Sequence, residues 1–447
     1  MLLLVLCGAL FLDGLDVSMV GVALPSIRAD LSMSNASLQW VVSAYVLGYG
    51  GFLLLGGRVA DIVGRRHTFL VSLAVFVVAS GLGGVATGAA TLIASRFVKG
   101  VSAAFTAPAG LSIITTTFDE GPVRNRALAI YTATGASGFS LGLVIGGGLT
   151  QIAWRWTFFL PVMVAAATLL AAARHVPRDQ RSTDGGPFDA AGALALTTAM
   201  LLAVFAVVEV PQGHPVLTWA AGAAAAIGFV AFVIRERRAA HPLVRLGILR
   251  SADLVRANLG AASLFGAWVG FLFIATLYLQ QLRGWSAIET GAAVFPSGVV
   301  VVALASQIGR LVGRFSTTPL ITAGLTSAVA AYALFLRIDE NTAYLSGILP
   351  TVLLGGLGFA LAFGPLNMAA TNGIVPAEQG LAGGLVNTSF QFGGALVLAV
   401  VTAVDNAATH GSSSAALLSG FRAGIAVTLV TAALGVIATN VKEHSWT

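Results

Sequence analysis

Apolar runs of about 20 residues recur along the chain from Leu2 to Asn440, separated by short polar breaks. As a helix, a run of that length crosses the roughly 30 Å hydrocarbon layer of a bilayer. Lipid offers no partner to backbone N–H and C=O groups, so only helices and closed barrels span it. The runs are continuous and lack the period-two alternation of barrel strands, which selects helices. Composition agrees: 57% of the 447 residues are hydrophobic and 9% are charged, against roughly 25% charged in a soluble domain. The expected class is an all-α integral membrane protein.

Fourteen spans are expected, at 2–24, 38–57, 68–87, 91–116, 127–150, 156–174, 188–210, 216–235, 254–279, 289–309, 318–336, 344–368, 381–404 and 421–440. With the N-terminus in the cytoplasm, 17 of the 24 basic residues fall on the inner side. Only five, Arg28, Arg155, Arg283, Arg337 and Arg422, fall outside, while Arg96 and Lys99 lie within a span. The positive-inside rule therefore predicts cytoplasmic termini in a cell inner (plasma) membrane. This asymmetry also accounts for a pI near 10.0 without nucleic acid, because the basic residues build no folded basic face. Met1 to Pro25 lacks a basic n-region and carries Asp13 and Asp16, so it reads as a first span and not as a cleaved signal peptide. A short cytoplasmic tail ahead of Met1 is expected to be missing. The single Cys7 rules out a disulfide framework or a cysteine metal site within the chain.

The polar linker Arg174 to Pro187 closes the sixth span and a basic linker, Arg235 to Arg256, follows the eighth. The natural division is six, two and six spans: 1–174, 175–253 and 254–447. The two sixes echo each other, since GVSAAFTAP (Gly100 to Pro108) resembles GFALAFGP (Gly358 to Pro365). A duplicated half with a substrate path between the copies is a common transporter plan. No phosphate-binding G-x-x-x-x-G-K-S/T and no H-E-x-x-H occurs, so neither an enzyme nor a cofactor or metal is expected.

Ionisable residues inside spans mark ion or substrate paths by default, because burying them is costly. Here they are Asp13 and Asp16 on the first span and Arg96 and Lys99 on the fourth; Glu209 and Asp405 fall near outer ends. At 1.5 Å rise per residue, Asp16 lies roughly 21 Å from the inner end of its span and Arg96 roughly 8 Å below the outer end of its own. These depths coincide. Both pairs are spaced i, i+3, so a two-rung ladder is expected, Asp16 with Arg96 and Asp13 with Lys99, serving either as static ion pairs or as a proton site. In the second half, Asn387 and Gln391 share a face of the thirteenth span, and Trp268 heads an aromatic ninth span with Phe265, Phe271, Phe273 and Tyr278. These residues suit an apolar ligand pocket, or else core and lipid contacts.

One charged stretch stands apart, GGRVADIVGRRHTF between the second and third spans, with Gly57, Asp61, Gly64, Arg65 and Arg66 in the pattern G-x-x-x-D-x-x-G-R-R. Glycine permits a sharp reversal, and an acid among arginines can form contacts that break in another conformation. The charges would also serve simply to keep the loop in the cytoplasm. With this motif the chain resembles the major facilitator superfamily, and within it the fourteen-helix drug:proton antiporters. LDVSMVGVALPSI (Leu15 to Ile27) resembles that group's first-helix motif, with Gly21 at the usual Asn. RFVKGVSAA (Arg96 to Ala104) resembles the fourth-helix motif, with Lys99 at the common Gln. YLQQLRGWSAIETGAAVFP (Tyr278 to Pro296) is similar to the junction of the ninth and tenth spans. GFSLGLVIGG, with Gly138, Gly142, Gly146 and Gly147, is similar to the fifth-helix antiporter motif, except that Leu143 replaces its proline. GRLVGRF (Gly309 to Phe315), the second-half counterpart of the charged loop, has no acid.

The resemblance implies proton-coupled efflux of small amphipathic compounds, as in antibiotic resistance, by a monomer working through alternating access. It also implies a role for Arg96 in proton coupling and a latch at the charged loop that holds the outward-facing state. A metabolite uniporter or symporter, or a membrane receptor that does not transport, are the alternatives. Cysteines placed singly at Ser182 and Ser413 in a Cys7→Ala background should react with an impermeant reagent from opposite sides of the membrane. Labelling of both from outside intact cells would refute the topology.

Overall fold

The computed structural model describes residues 1–118, 122–178, 189–209, 214–239, 246–305, 307–374, 379–411 and 413–440. Among them are fifteen α-helices: α1 (Leu2–Leu31), α2 (Asn35–Val63), α3 (Arg65–Gly84), α4 (Ala89–Thr117), α5 (Pro122–Ile152), α6 (Trp156–His175), α7 (Ala190–Glu209), α8 (Pro215–Arg238), α9 (Ala252–Leu277), α10 (Ala287–Ala305), α11 (Ile308–Phe315), α12 (Thr317–Phe335), α13 (Leu349–Thr371), α14 (Gln379–Ala408) and α15 (Ser414–Asn440). Among the described residues, eleven helices are long and apolar enough to cross a membrane. The other three expected spans fall on α2, α5 and α7, which include residues outside the described set; among the described residues α5 and α7 contribute the shorter apolar segments Ser137–Ile152 and Leu194–Val207. The short α11 was not expected as a separate helix. It follows the end of α10 at Ala305 and stops at Ser316, whose φ of 64° is left-handed.

Helix ends follow from local chemistry. Ser34 caps α2 by accepting from the Ser37 N–H at 3.1 Å, which satisfies one of the donors a helix start leaves over. Ser286 and Glu289 form a reciprocal box at the start of α10: the Ser286 N–H donates to Glu289 Oε2 at 2.8 Å and the Glu289 N–H to Ser286 Oγ at 3.3 Å. Between α2 and α3 only Gly64 intervenes, at a φ of 110°. A side chain there would be strained, so this glycine sets the reversal.

The chain forms two compact units, Met1–Thr197 with Leu279–Gly298, and Thr198–Tyr278 with Val299–Thr447. In the first, α1 packs on α5 and α6, α2 on α4, and α3 on α4 and α6. In the second, α9 packs on α14 and α15, and α12 on α13 and α15. The pairing of α1, α3, α4, α5 and α6 thus recurs in α9, α12, α13, α14 and α15, which gives the echo between Gly100–Pro108 and Gly358–Pro365 a structural meaning. The segment after Tyr278 and most of α10 group with α1 and α5, while most of α7 and all of α8 group with the second unit.

Without a hydrophobic drive between helices in lipid, association relies on close van der Waals contact through small residues. A Cβ on Gly56 would overlap the Ala104 carbonyl, and one on Gly100 the Tyr45 carbonyl, so α2 and α4 meet at backbone distance. Gly57, although part of the sequence pattern, has room, with Pro108 Cβ nearest at 3.8 Å. Gly56→Ala is therefore expected to destabilise the protein by about 1–3 kcal/mol through overpacking. Gly57→Ala should be neutral or stabilise by up to roughly 1 kcal/mol through helix propensity. Thermal unfolding of the two variants in detergent checks this contrast.

Candidate functional site

Among the described residues, α1 and α4 together bury four charged residues. Asp16, on α1, is 0% exposed, as is Lys99 on α4, while Arg96 is 1% and Asp13 8% exposed. The expected contact between Asp16 and Arg96 forms, with Arg96 Nη1 donating to Asp16 Oδ2. The second expected rung does not. Lys99 Nζ donates instead to the other oxygen of the same carboxylate, Asp16 Oδ1, and to Ser80 Oγ of α3 at 2.9 Å. Asp16 is thus held by two cations at once.

Each cation is fixed by further partners that no motif signalled. Arg96 Nε donates to the Val41 carbonyl at 2.9 Å, and its guanidinium lies 4.4 Å from the Tyr45 ring centroid. The Lys99 ammonium lies 4.8 Å from the ring centroids of both Phe76 and Phe158, and Ser80 Oγ donates to the Phe158 carbonyl at 2.9 Å. Ring faces attract a desolvated cation, and these contacts supply part of what water would otherwise give. Tyr45, Ser80, Phe76 and Phe158 come from α2, α3 and α6. A pairwise reading of α1 against α4 could not find them, although the polar positions of α2, at Gln39, Ser43, Tyr45 and Tyr49, hint at a face turned inward.

Asp13 stands differently. Its Oδ2 is buried without a hydrogen-bond partner, and so is the hydroxyl of Tyr45. A step of three residues along a helix moves deeper by about 4.5 Å but also turns about 60° around the axis. That turn separates Asp13 from the face on which Asp16 meets α4.

The charged loop is placed in part. Gly64 makes the turn, and Arg66 Nη2 donates to the Ala173 carbonyl at 2.7 Å, near the end of α6 where helix carbonyls are left over. Arg65 is half-buried at the start of α3; the side chain of Asp61 lies outside the described residues.

The four motif glycines of α5 serve close approach. A Cβ on Gly138 would overlap the Phe11 carbonyl, one on Gly142 the Ser18 hydroxyl, and one on Gly146 would lie 2.6 Å from Met19 Cα, all on α1. Gly147 faces α10, where a Cβ would lie 2.6 Å from the Ala287 carbonyl oxygen. With Leu143 in place of proline, α5 runs for 31 residues, its one proline being Pro122 at its start. The Leu143 carbonyl closes against Gly291 of α10. The two glutamines of the YLQQL stretch reach α1: Gln280 Nε2 donates to the Val22 carbonyl at 2.9 Å, and Gln281 Oε1 accepts from Arg28 at 3.3 Å.

In the second unit Trp268 is buried, its ring centroid 5.8 Å from that of Phe271 and 5.9 Å from that of Phe359. Its surface is taken by packing within the unit. Asn387 donates to its own helix at the Gly383 carbonyl, 2.8 Å away, and Gln391 is half-buried on the same helix. Asp405, read from sequence as lying near a span end, is buried against α15, where a Cβ on Gly420 would lie 2.6 Å from its Oδ1.

A buried acid shared by two cations across glycine-packed helices, on a duplicated helical plan, defines a polytopic transporter. The model of the Major Facilitator Superfamily matches residues 6–398, and the chain belongs to that superfamily of transporters, which are not enzymes. It is 38% identical over 446 residues to the puromycin resistance protein pur8 of Streptomyces alboniger, covering 96% of this chain and 88% of that one. It is 36% identical to the cephamycin export protein CmcT of Amycolatopsis lactamdurans, covering 92% and 86%. The fold is similar to that of a peptide transporter POT solved with sulfate, with a TM-score of 0.71 at 15% identity over 97% of this chain and 93% of that one.

Removing Asp16 leaves two buried cations without their anion, which is expected to cost about 3–5 kcal/mol. Asp16→Asn should therefore unfold far below the wild type, whereas Asp13→Asn, which removes an acid with an unpartnered oxygen, should hold or gain stability. Thermal unfolding in detergent separates the two, and equal losses would contradict this account of the cluster.

Proposed function

We propose that the chain exports small amphipathic compounds in exchange for protons by alternating access. The observation that carries this reading is the buried cluster of Asp13, Asp16, Arg96 and Lys99, in a transporter whose relatives are named for antibiotic export and resistance. Charge buried in a membrane helix is costly and marks an ion or substrate path, and an acid facing basic partners can exchange a proton as its surroundings change. The arrangement proposed is fourteen spans, as six helices in 1–174, two in 175–253 and six in 254–447. The protein would act as a monomer in the plasma membrane with both termini in the cytoplasm. Trp268, Asn387 and Gln391 are proposed to shape the substrate path in the second half, and Asp61 with Arg65 to latch the outward-facing state. Gly138, Gly142, Gly146 and Gly147 would allow α1, α5 and α10 to move as close-packed bodies.

A second reading, uniport or symport of a metabolite, draws on Leu143, since α5 lacks the internal proline of the antiporter motif. Puromycin, taken from the name of a relative, serves as the first compound to test. In inverted vesicles from an efflux-deficient host, puromycin should dissipate an imposed proton gradient, and its uptake should collapse with an ionophore. Equal flux with and without the gradient would favour uniport. Asp61→Asn should reduce uptake several-fold with expression unchanged; full flux in that variant would remove the latch.

A further inference from the structure

The two acids of α1 have different surroundings, and the difference assigns them different work. Asp16 accepts from Arg96 and from Lys99, one cation on each oxygen. Neutralising Asp16 would leave both cations buried without an anion, the costly arrangement for a charge in low dielectric. Lys99 is in turn fixed by Ser80 and by the rings of Phe76 and Phe158. Every charge in this set is thus answered by a partner of opposite sign.

Asp13 has none of these ties. Its Oδ2 has no hydrogen-bond partner although the residue is 92% buried, being 8% exposed. The titratable and charged groups that face it come from α1, α2, α4 and α5. They are Asp16 on its own helix, the phenols of Tyr45 and Tyr49 on α2, Lys99 and Arg96 on α4 beyond Asp16, and the phenol of Tyr131 on α5. The charged residues of α6, Arg174 and His175, sit in its last turn. Tyr131 turns its hydroxyl to the Ala107 carbonyl at 3.3 Å, and Tyr45 Oη has no partner. A buried carboxyl with an unanswered oxygen is at home when protonated, and becomes a second anion for the Arg96 and Lys99 pair when it is not. With Asp16 ionised, the cluster carries one net positive charge while Asp13 is protonated and none when Asp13 releases its proton.

We propose that Asp13, and not Asp16, is the carboxyl that binds and releases the exchanged proton, with Asp16 remaining ionised as the fixed anion that positions Arg96 and Lys99. The inference rests on the proton-coupled reading for its role in transport, but the protonation site can be tested by itself. The step is a proton transfer alone: the O–H bond of the Asp13 carboxyl breaks, the electron pair stays on the carboxylate, and the proton passes to water.

Infrared difference titration of the full chain in lipid vesicles reads the site directly. A protonated-carboxyl band that the wild type loses as pH rises should be absent in Asp13→Asn and shifted in frequency in Asp13→Glu, a variant that keeps the group should the amide fail to fold. Asp16→Glu should leave the band unshifted. A band that persists unchanged in both Asp13 variants, a shift in Asp16→Glu, or a wild type with no titrating band would overturn the assignment. Proton release measured during puromycin flux separates this from the wider reading. Titration at Asp13 together with proton-free flux would leave the site standing and remove antiport.

Discussion

The first unit is organised around one carboxylate placed where water cannot reach it. An ion in that position is tolerated only when its neighbours replace its hydration. Asp16 recruits Arg96 and Lys99; those cations need partners of their own, and so Val41 and Tyr45 of α2, Ser80 and Phe76 of α3, and Phe158 of α6 are drawn into one assembly. Four neighbouring helices are thereby tied to α1 by the demands of a single negative charge. The glycines complete the arrangement, because α2 reaches α4 and α5 reaches α1 closely only where side chains are missing.

The same logic explains why a helix can carry two acids a turn apart with contrary character. What distinguishes Asp16 from Asp13 is direction around the helix axis. Asp16 faces the basic residues of α4, and Asp13 lies among phenols and has an oxygen without a donor. Tyrosine hydroxyls offer polarity without a countercharge, so the protonation state of Asp13 is left to its surroundings and not dictated by a bonded cation.

Much of this was legible in the residues. Run length and the absence of alternation gave the membrane helices, the echo between Gly100–Pro108 and Gly358–Pro365 pointed to the repeated pairing, and depth along α1 and α4 brought Asp16 and Arg96 together. Depth alone could not give the angular position of Asp13, nor could it foresee that the long side chain of Lys99 would reach the level of Asp16 and end between two rings from other helices. Partners on third helices leave no spacing pattern in the sequence. The loop pattern was legible in a similar measure. Gly64 is required by its positive φ, but the close approach one position before Gly57 belongs to Gly56, since the phase of a helix around its axis decides which glycine meets its neighbour. The packing of Trp268 was likewise open, because an aromatic residue on a membrane helix carries no mark of whether it faces ligand, lipid or protein.

Leu143 has a mechanical consequence. A proline within α5 would give the helix a joint, able to absorb bending locally. Without one, α5 is a 31-residue strut that holds α1 through Gly138, Gly142 and Gly146 and α10 through Gly147 and the Leu143 carbonyl. With no proline to interrupt its hydrogen-bond ladder, α5 has no fixed kink between its contacts with α10 and its contacts with the helix that bears Asp13 and Asp16.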